Sequence, residues 1–168
     1  TEEYLEIKRQ QRPQDYVAII GYSHRATLCC GLSNVYEQYP EIRDALAKLK
    51  TLSGYGTRIQ PALKKVLGLV RCEDWVHADG VLVRVLAYSD GQDQSQPGAL
   101  RLADELKSMG VMIECFGIAR NRHEVDEAFL RQVASETDGF VHYRFLGDGE
   151  LVRRTFTKLA TGTLVFEG

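Results

Sequence analysis

Val81 to Gly91 limits the possible folds more than any other stretch of the chain. Val81-Leu82-Val83-Arg84-Val85-Leu86-Ala87-Tyr88-Ser89 is an apolar run rich in β-branched residues, with Arg84 as its only charge, and it stops at Asp90-Gly91. A near-continuous apolar strand of this kind belongs inside a parallel sheet covered on both faces. Asp90-Gly91 then sets a carboxylate at the carboxyl end of the strand, the edge where open α/β sheets bind ligands. Asp-Gly is also ordinary turn chemistry, so Asp90 has a purely structural reading as well.

The segments on either side alternate in the same way. Thr1 to Arg12 reads as the last turns of a helix closed by Pro13, and Tyr16 to Tyr22 reads as a buried strand. Arg25 to Leu32 is close enough to pair with that strand as an antiparallel edge hairpin. Ser33-Asn34 signals a helix start, with Pro40 suited to a first helical position and Ile42, Ala45, Leu46 and Leu49 at helical spacing. Ile59, Leu63, Val66, Leu67 and Val70 mark a second helix, and a polar loop with Trp75 follows. Pro97 opens a helix striped by Leu100, Ala103, Leu106 and Met109 and capped by Gly110. Val111 to Gly117 is a strand, Ala128 to Ala134 a helix, Phe140 to Tyr143 a last strand and Leu151 to Leu159 a last helix. Strands alternating with helices of this length imply a Rossmann-like, doubly wound, mainly parallel α/β sheet with an antiparallel edge strand.

Composition narrows the function classes. A chain of 168 residues, 44% hydrophobic, fits one domain with a sizeable core. The formal net charge of −2 gives no reason to propose nucleic acid, and no apolar stretch reaches the length of a membrane span. Cys29, Cys30, Cys72 and Cys115 show no zinc or redox spacing. As free thiols they favour a reducing compartment, the cytoplasm. His24 beside Ser23 lacks a nucleophile elbow, and His123-Glu124 lacks the second histidine of a zinc-protease helix. No acid–base pair or nucleophile triad assembles, so the chain is not expected to be an enzyme.

Three stretches resemble the von Willebrand factor A domain family. Asp15-Tyr16-Val17-Ala18-Ile19-Ile20-Gly21-Tyr22-Ser23 looks like its second strand, Gly54-Tyr55-Gly56-Thr57 like its Gly-Gly-Thr turn, and Ser89-Asp90-Gly91 like its Thr-Asp-Gly. The resemblance covers nearly the whole chain. It implies a protein-interaction module with a metal-ion-dependent adhesion site, at which a magnesium-type ion leaves one position open for an acidic residue of a protein partner. By motif, Thr57 would supply a hydroxyl and Asp90 a carboxylate. Tyr55, Arg120 and Arg122 would form the partner-facing rim, the two arginines as a basic edge attractive to an acidic partner.

One part of the family pattern is missing. The family's first strand ends in Asp-x-Ser-x-Ser, which supplies three ligating side chains, and these residues contain no such motif. Asp93-Gln94-Ser95-Gln96-Pro97 follows the wrong strand. Residues 1–168 therefore read as a single domain of this type, incomplete at its amino end, with the first strand expected upstream of Thr1. Two ligands alone bind a divalent ion poorly. A metal-assisted hydrolase and a structural module with a decayed metal site are the alternative readings. A gap left between Tyr16–Tyr22 and Val81–Ser89 is expected to be filled by another strand, with Thr163 to Glu167 a weak candidate.

Overall fold

The computed structural model describes residues 2–49, 56–74, 78–93, 95–147 and 149–161. Tyr55, Gly54 and Trp75, and the tail from Thr163 to Glu167, lie outside the described residues. In chain order the elements are α1 (Glu2–Gln11), β1 (Tyr16–Tyr22), β2 (Ala26–Asn34), α2 (Tyr39–Leu49), α3 (Ile59–Cys72), β3 (Arg84–Ser89) and α4 (Gln96–Ser108). They continue with β4 (Met112–Ile118), α5 (Glu127–Val133), β5 (Glu136–Thr137), β6 (Phe140–Val141), β7 (Tyr143–Leu146) and α6 (Gly149–Thr161).

Helices cover the strands from both sides. Ile59, Leu63 and Leu67 of α3, Leu102 and Leu106 of α4, and Phe129 and Leu130 of α5 form one core with Ala87, Ile113 and Cys115. On the opposite face α6 packs Leu159 against Phe116 and Leu146, while α1 and α2 pack Leu5, Ile42 and Leu46 against Ile19. This is the doubly wound arrangement expected from alternating strands and helices.

β3, β4 and β7 form a parallel sheet in that order, with Arg84 opposite Met112 and Cys115 opposite Tyr143. β1 and β2 form an antiparallel hairpin, as expected, with irregular register between Val17 and Ile20. The hairpin is a separate sheet: no backbone ladder joins β1 to β3 among the described residues. Among the described residues no strand pairs with both β1 and β3.

Two boundaries differ from the sequence expectation. β3 begins at Arg84, and Leu82 is 62% exposed, because β4 offers its first partner only at Met112. The last parallel strand is Tyr143–Leu146. Phe140–Val141 instead turns back on Glu136–Thr137 through Asp138-Gly139, both at positive φ. Asp-Gly with two such residues is the favoured two-residue hairpin turn.

Candidate functional site at the carboxyl edge of the sheet

The loops after β1, β3 and β4 meet at one edge. The Arg58 amide donates to the Ser23 carbonyl just beyond β1 (2.9 Å), and Thr57 bridges in parallel to Asp93 beyond β3. The Asp126 amide, at the head of α5, donates to the Asp90 carbonyl (2.9 Å). Thr57, Asp90 and Asp126 are thus brought to one edge, as strand-end residues of a parallel sheet should be.

Asp93 organises this edge. It is 5% exposed, and its Oδ2 accepts from the Ile59 amide at 2.6 Å. Its Oδ1 accepts from the Ser95 amide (2.7 Å) and the Ser95 hydroxyl (2.8 Å). Arg58 precedes α3 without a side-chain cap, and no acid lies in the first turn of that helix. Asp93 therefore supplies from across the fold the acceptor and negative charge that a helix start needs. Sequence reasoning set the Asp93–Ser95 stretch aside as a metal motif. The residue found beside Thr57 is nevertheless Asp93.

Asp90 is half-buried and less committed. Its Oδ1 accepts from the Gln92 amide (3.1 Å), which leaves the other oxygen without a protein donor among the described residues. Gly91 follows at φ 75°, and a Cβ there would lie 2.8 Å from the Asp126 carbonyl oxygen, so the loop can turn here only with glycine. Ser89 accepts from the Gly91 amide (2.9 Å), tightening the same turn. Gly56, at φ 75°, precedes Thr57, and it meets the backbone requirement of the turn expected there. Asp126 caps α5 through the Phe129 amide (3.0 Å) and accepts from Gln96 (2.9 Å), so both its oxygens are used.

The rim is less free than its sequence suggests. Arg122 donates to both carboxylate oxygens of Glu127, which raises the guanidinium pKa further, while Asn121 and Glu124 close a capping box. Arg120 is exposed. His24 is exposed and lies 3.4 Å from the Ser23 hydroxyl, and among the described residues no carboxylate completes a triad with it. Tyr22 of β1 donates to the Tyr88 carbonyl of β3 (2.6 Å), and burial pushes its phenol above the ordinary range.

The oxygen chemistry at this edge suits a hard divalent cation in kind, since Thr57 offers a hydroxyl and Asp90 a carboxylate oxygen. It falls short in number. Such an ion takes about six oxygens, and no group of three or more His, Cys, Asp or Glu among the described residues could hold a metal. The described residues alone do not make a complete site.

The layers, the parallel sheet and the loops gathered at its carboxyl edge define a Rossmann-like α/β domain. Residues 3–155 match the model of the von Willebrand factor type A domain, and the chain belongs to that family. Solved structures share the fold. Conserved hypothetical protein BatB from Bacteroides thetaiotaomicron is 15% identical with a TM-score of 0.68, over 96% of this chain and 83% of that one. Manganese-loaded TRAP protein of Plasmodium vivax is 21% identical with a TM-score of 0.63, over 95% of this chain and 63% of that one. Proximal thread matrix protein 1 from the mussel byssus, with a zinc occupied MIDAS motif, is 18% identical with a TM-score of 0.69, over 95% of this chain and 38% of that one. No curated protein matches the chain.

Proposed function

We propose that this chain is a protein-interaction module of the von Willebrand A type that takes its partner at the carboxyl edge of the sheet, around Thr57 and Asp90. The supporting observation is the division of labour between the two acids. Asp93 is buried with both oxygens bonded, to Ile59 of α3 and to Ser95, whereas one oxygen of Asp90 has no protein donor among the described residues. Family members with manganese or zinc bound support a divalent ion here, magnesium being the expected one. Thr57 and Asp90 would hold it, with further oxygens from outside the described residues completing the shell. The bound ion would offer its open position to an acidic side chain of the partner. Arg120 adds positive charge that speeds the approach of such a partner.

The test uses the full chain immobilised and exposed to short peptides bearing a single Glu or its Gln counterpart, in manganese or in EDTA. Retention of Glu peptides in manganese only is expected. Equal retention of Gln peptides, or retention that survives EDTA, would remove the ion-mediated reading. Turnover of a generic ester or phosphate substrate would instead favour the hydrolase.

A further inference from the structure

Two stretches lead into the parallel sheet with the same local pattern. Asp79-Gly80-Val81-Leu82 precedes β3, and Asp138-Gly139-Phe140-Val141 precedes β7. The glycine of each sits at positive φ, 83° at Gly80 and 80° at Gly139, so the chain turns sharply there. The Val81 amide closes the first turn onto the Ala78 carbonyl (3.1 Å), and the pairing of Thr137 with Phe140 closes the second. β3 and β7 lie on either side of β4. The Met112 amide donates to the Val83 carbonyl (2.9 Å), and the Ser135 amide to the Ile113 carbonyl (2.8 Å). Both turns are therefore set at the amino edge of the sheet, the end opposite Thr57 and Asp90.

Both turns present apolar side chains to solvent. Leu82 is 62% exposed, Phe140 47% and Val81 40%. One exposed apolar residue is ordinary, but this edge does not require any. Gly110 also turns at positive φ before β4, and the Val111 that follows it is only 2% exposed. Two strand spacings, about 10 Å, separate β3 from β7, so Leu82 and Phe140 are near enough to meet one ligand. The exposed charge beside them has one sign. Asp79, Glu136 and Asp138 are exposed, and none has an ion-pair partner among the described residues. Arg84 and Lys107, at the same end, are already engaged, Arg84 by Glu114 and Lys107 by Asp104 and the Gln132 carbonyl. Such an edge repels nucleic acid and anionic lipid and attracts a cationic segment.

We propose that the amino edge is a second docking surface, which takes a basic segment of a partner protein carrying two large apolar side chains. An extended chain rises about 3.3 Å per residue. Apolar residues three apart therefore span from Leu82 to Phe140, and lysines or arginines around them meet Asp79, Glu136 and Asp138. The apolar contacts anchor the segment, and the acids select its charge and speed its approach. This surface needs no ion and leaves the carboxyl edge free for the partner proposed above.

The test uses the full chain in EDTA, which separates it from the ion-dependent reading, with acetyl-Lys-Leu-Lys-Lys-Phe-Lys-amide as the probe. Amide chemical shifts are expected to move at residues 79–82 and 136–141 on adding peptide. The triple variant Asp79→Asn, Glu136→Gln, Asp138→Asn is expected to bind roughly ten-fold or more weakly. Asparagine tolerates the positive φ of Asp138, so the turn is kept. A peptide with Ser in place of Leu and Phe leaves the protein untouched and is expected to lose binding by a similar factor. The proposal is overturned if the triple variant or the Ser peptide binds as well, if no peptide binds, or if the shifts centre on Asp104, Glu150 or Asp90. It is also overturned if raising the chain concentration alone moves the same signals, which would give the edge to a second copy.

Discussion

Replacing Asp93 with alanine is expected to destabilise the fold far more than the same change at Asp90. The buried Asp93 carboxylate accepts three hydrogen bonds, from the Ile59 amide, the Ser95 amide and the Ser95 hydroxyl. Ile59 is 1% exposed, so its amide would find no water in place of the lost oxygen. An orphaned buried donor costs about 1–3 kcal/mol, and the negative charge at the start of α3 contributes about 0.3–1 kcal/mol more. The Ser95 groups are partly accessible and recover most of their bonding from water. The sum is a loss of about 1–4 kcal/mol, or roughly 3–15 °C in the thermal midpoint of a domain this size. Asp90 loses only the bond from the Gln92 amide, because its carbonyl still accepts from Asp126, and the expected cost is below about 1 kcal/mol. Urea titration of both variants followed by far-UV circular dichroism measures the two values. An Asp93→Ala variant within about 0.5 kcal/mol of wild type, or an Asp90→Ala variant as damaged as Asp93→Ala, would refute the assignment of Asp93 as the structural acid.

Two further outcomes follow from the same structure. Gly91→Ala forces a side chain into a left-handed conformation and against the Asp126 carbonyl, and is expected to cost about 1–3 kcal/mol. Gly98→Ala, in the first turn of α4, meets only the movable end of Gln60, and is expected to be within about 1 kcal/mol of neutral in the same urea assay. Burial holds the Cys115 thiol up at about 12 from an ordinary 9.0, and holds the Tyr4 and Tyr143 phenols up at about 12 from 10.0. The unfolded chain therefore gives up these protons first. Their contribution is fully present below pH 9 and is lost progressively as pH rises toward 12. Thermal midpoints across that range should fall steadily, and a flat profile would show that these groups are not buried in solution.

What the sequence revealed depended on how local the signal was. The helix from Gln96 to Ser108 could be read because Pro97 and an apolar stripe lie within it and Gly110 closes it just beyond. The strand from Met112 to Ile118 could be read because its burial on both faces leaves a run that is apolar but for Glu114, which pairs with Arg84. Long-range pairings left no local mark. Asp93 caps a helix that starts at Ile59, and nothing in its own neighbourhood announces that partner. Val81 and Leu82 look like strand but precede the point where β4 can pair. Asp138-Gly139 carried a hairpin signal, and reading through it merged two short strands into one. Thr57 and Asp90 were found through motif order, and their meeting at one edge follows from the parallel sheet.

Manganese titration of the full chain, read as paramagnetic broadening of amide signals, tests the central claim most directly because it detects even weak binding. Broadening is expected to centre on Thr57, Asp90 and Gly91, to be lost in Asp90→Ala and to be competed by magnesium. Broadening spread over surface acids such as Asp104 and Glu150, or broadening at this edge that persists in Asp90→Ala, would contradict it.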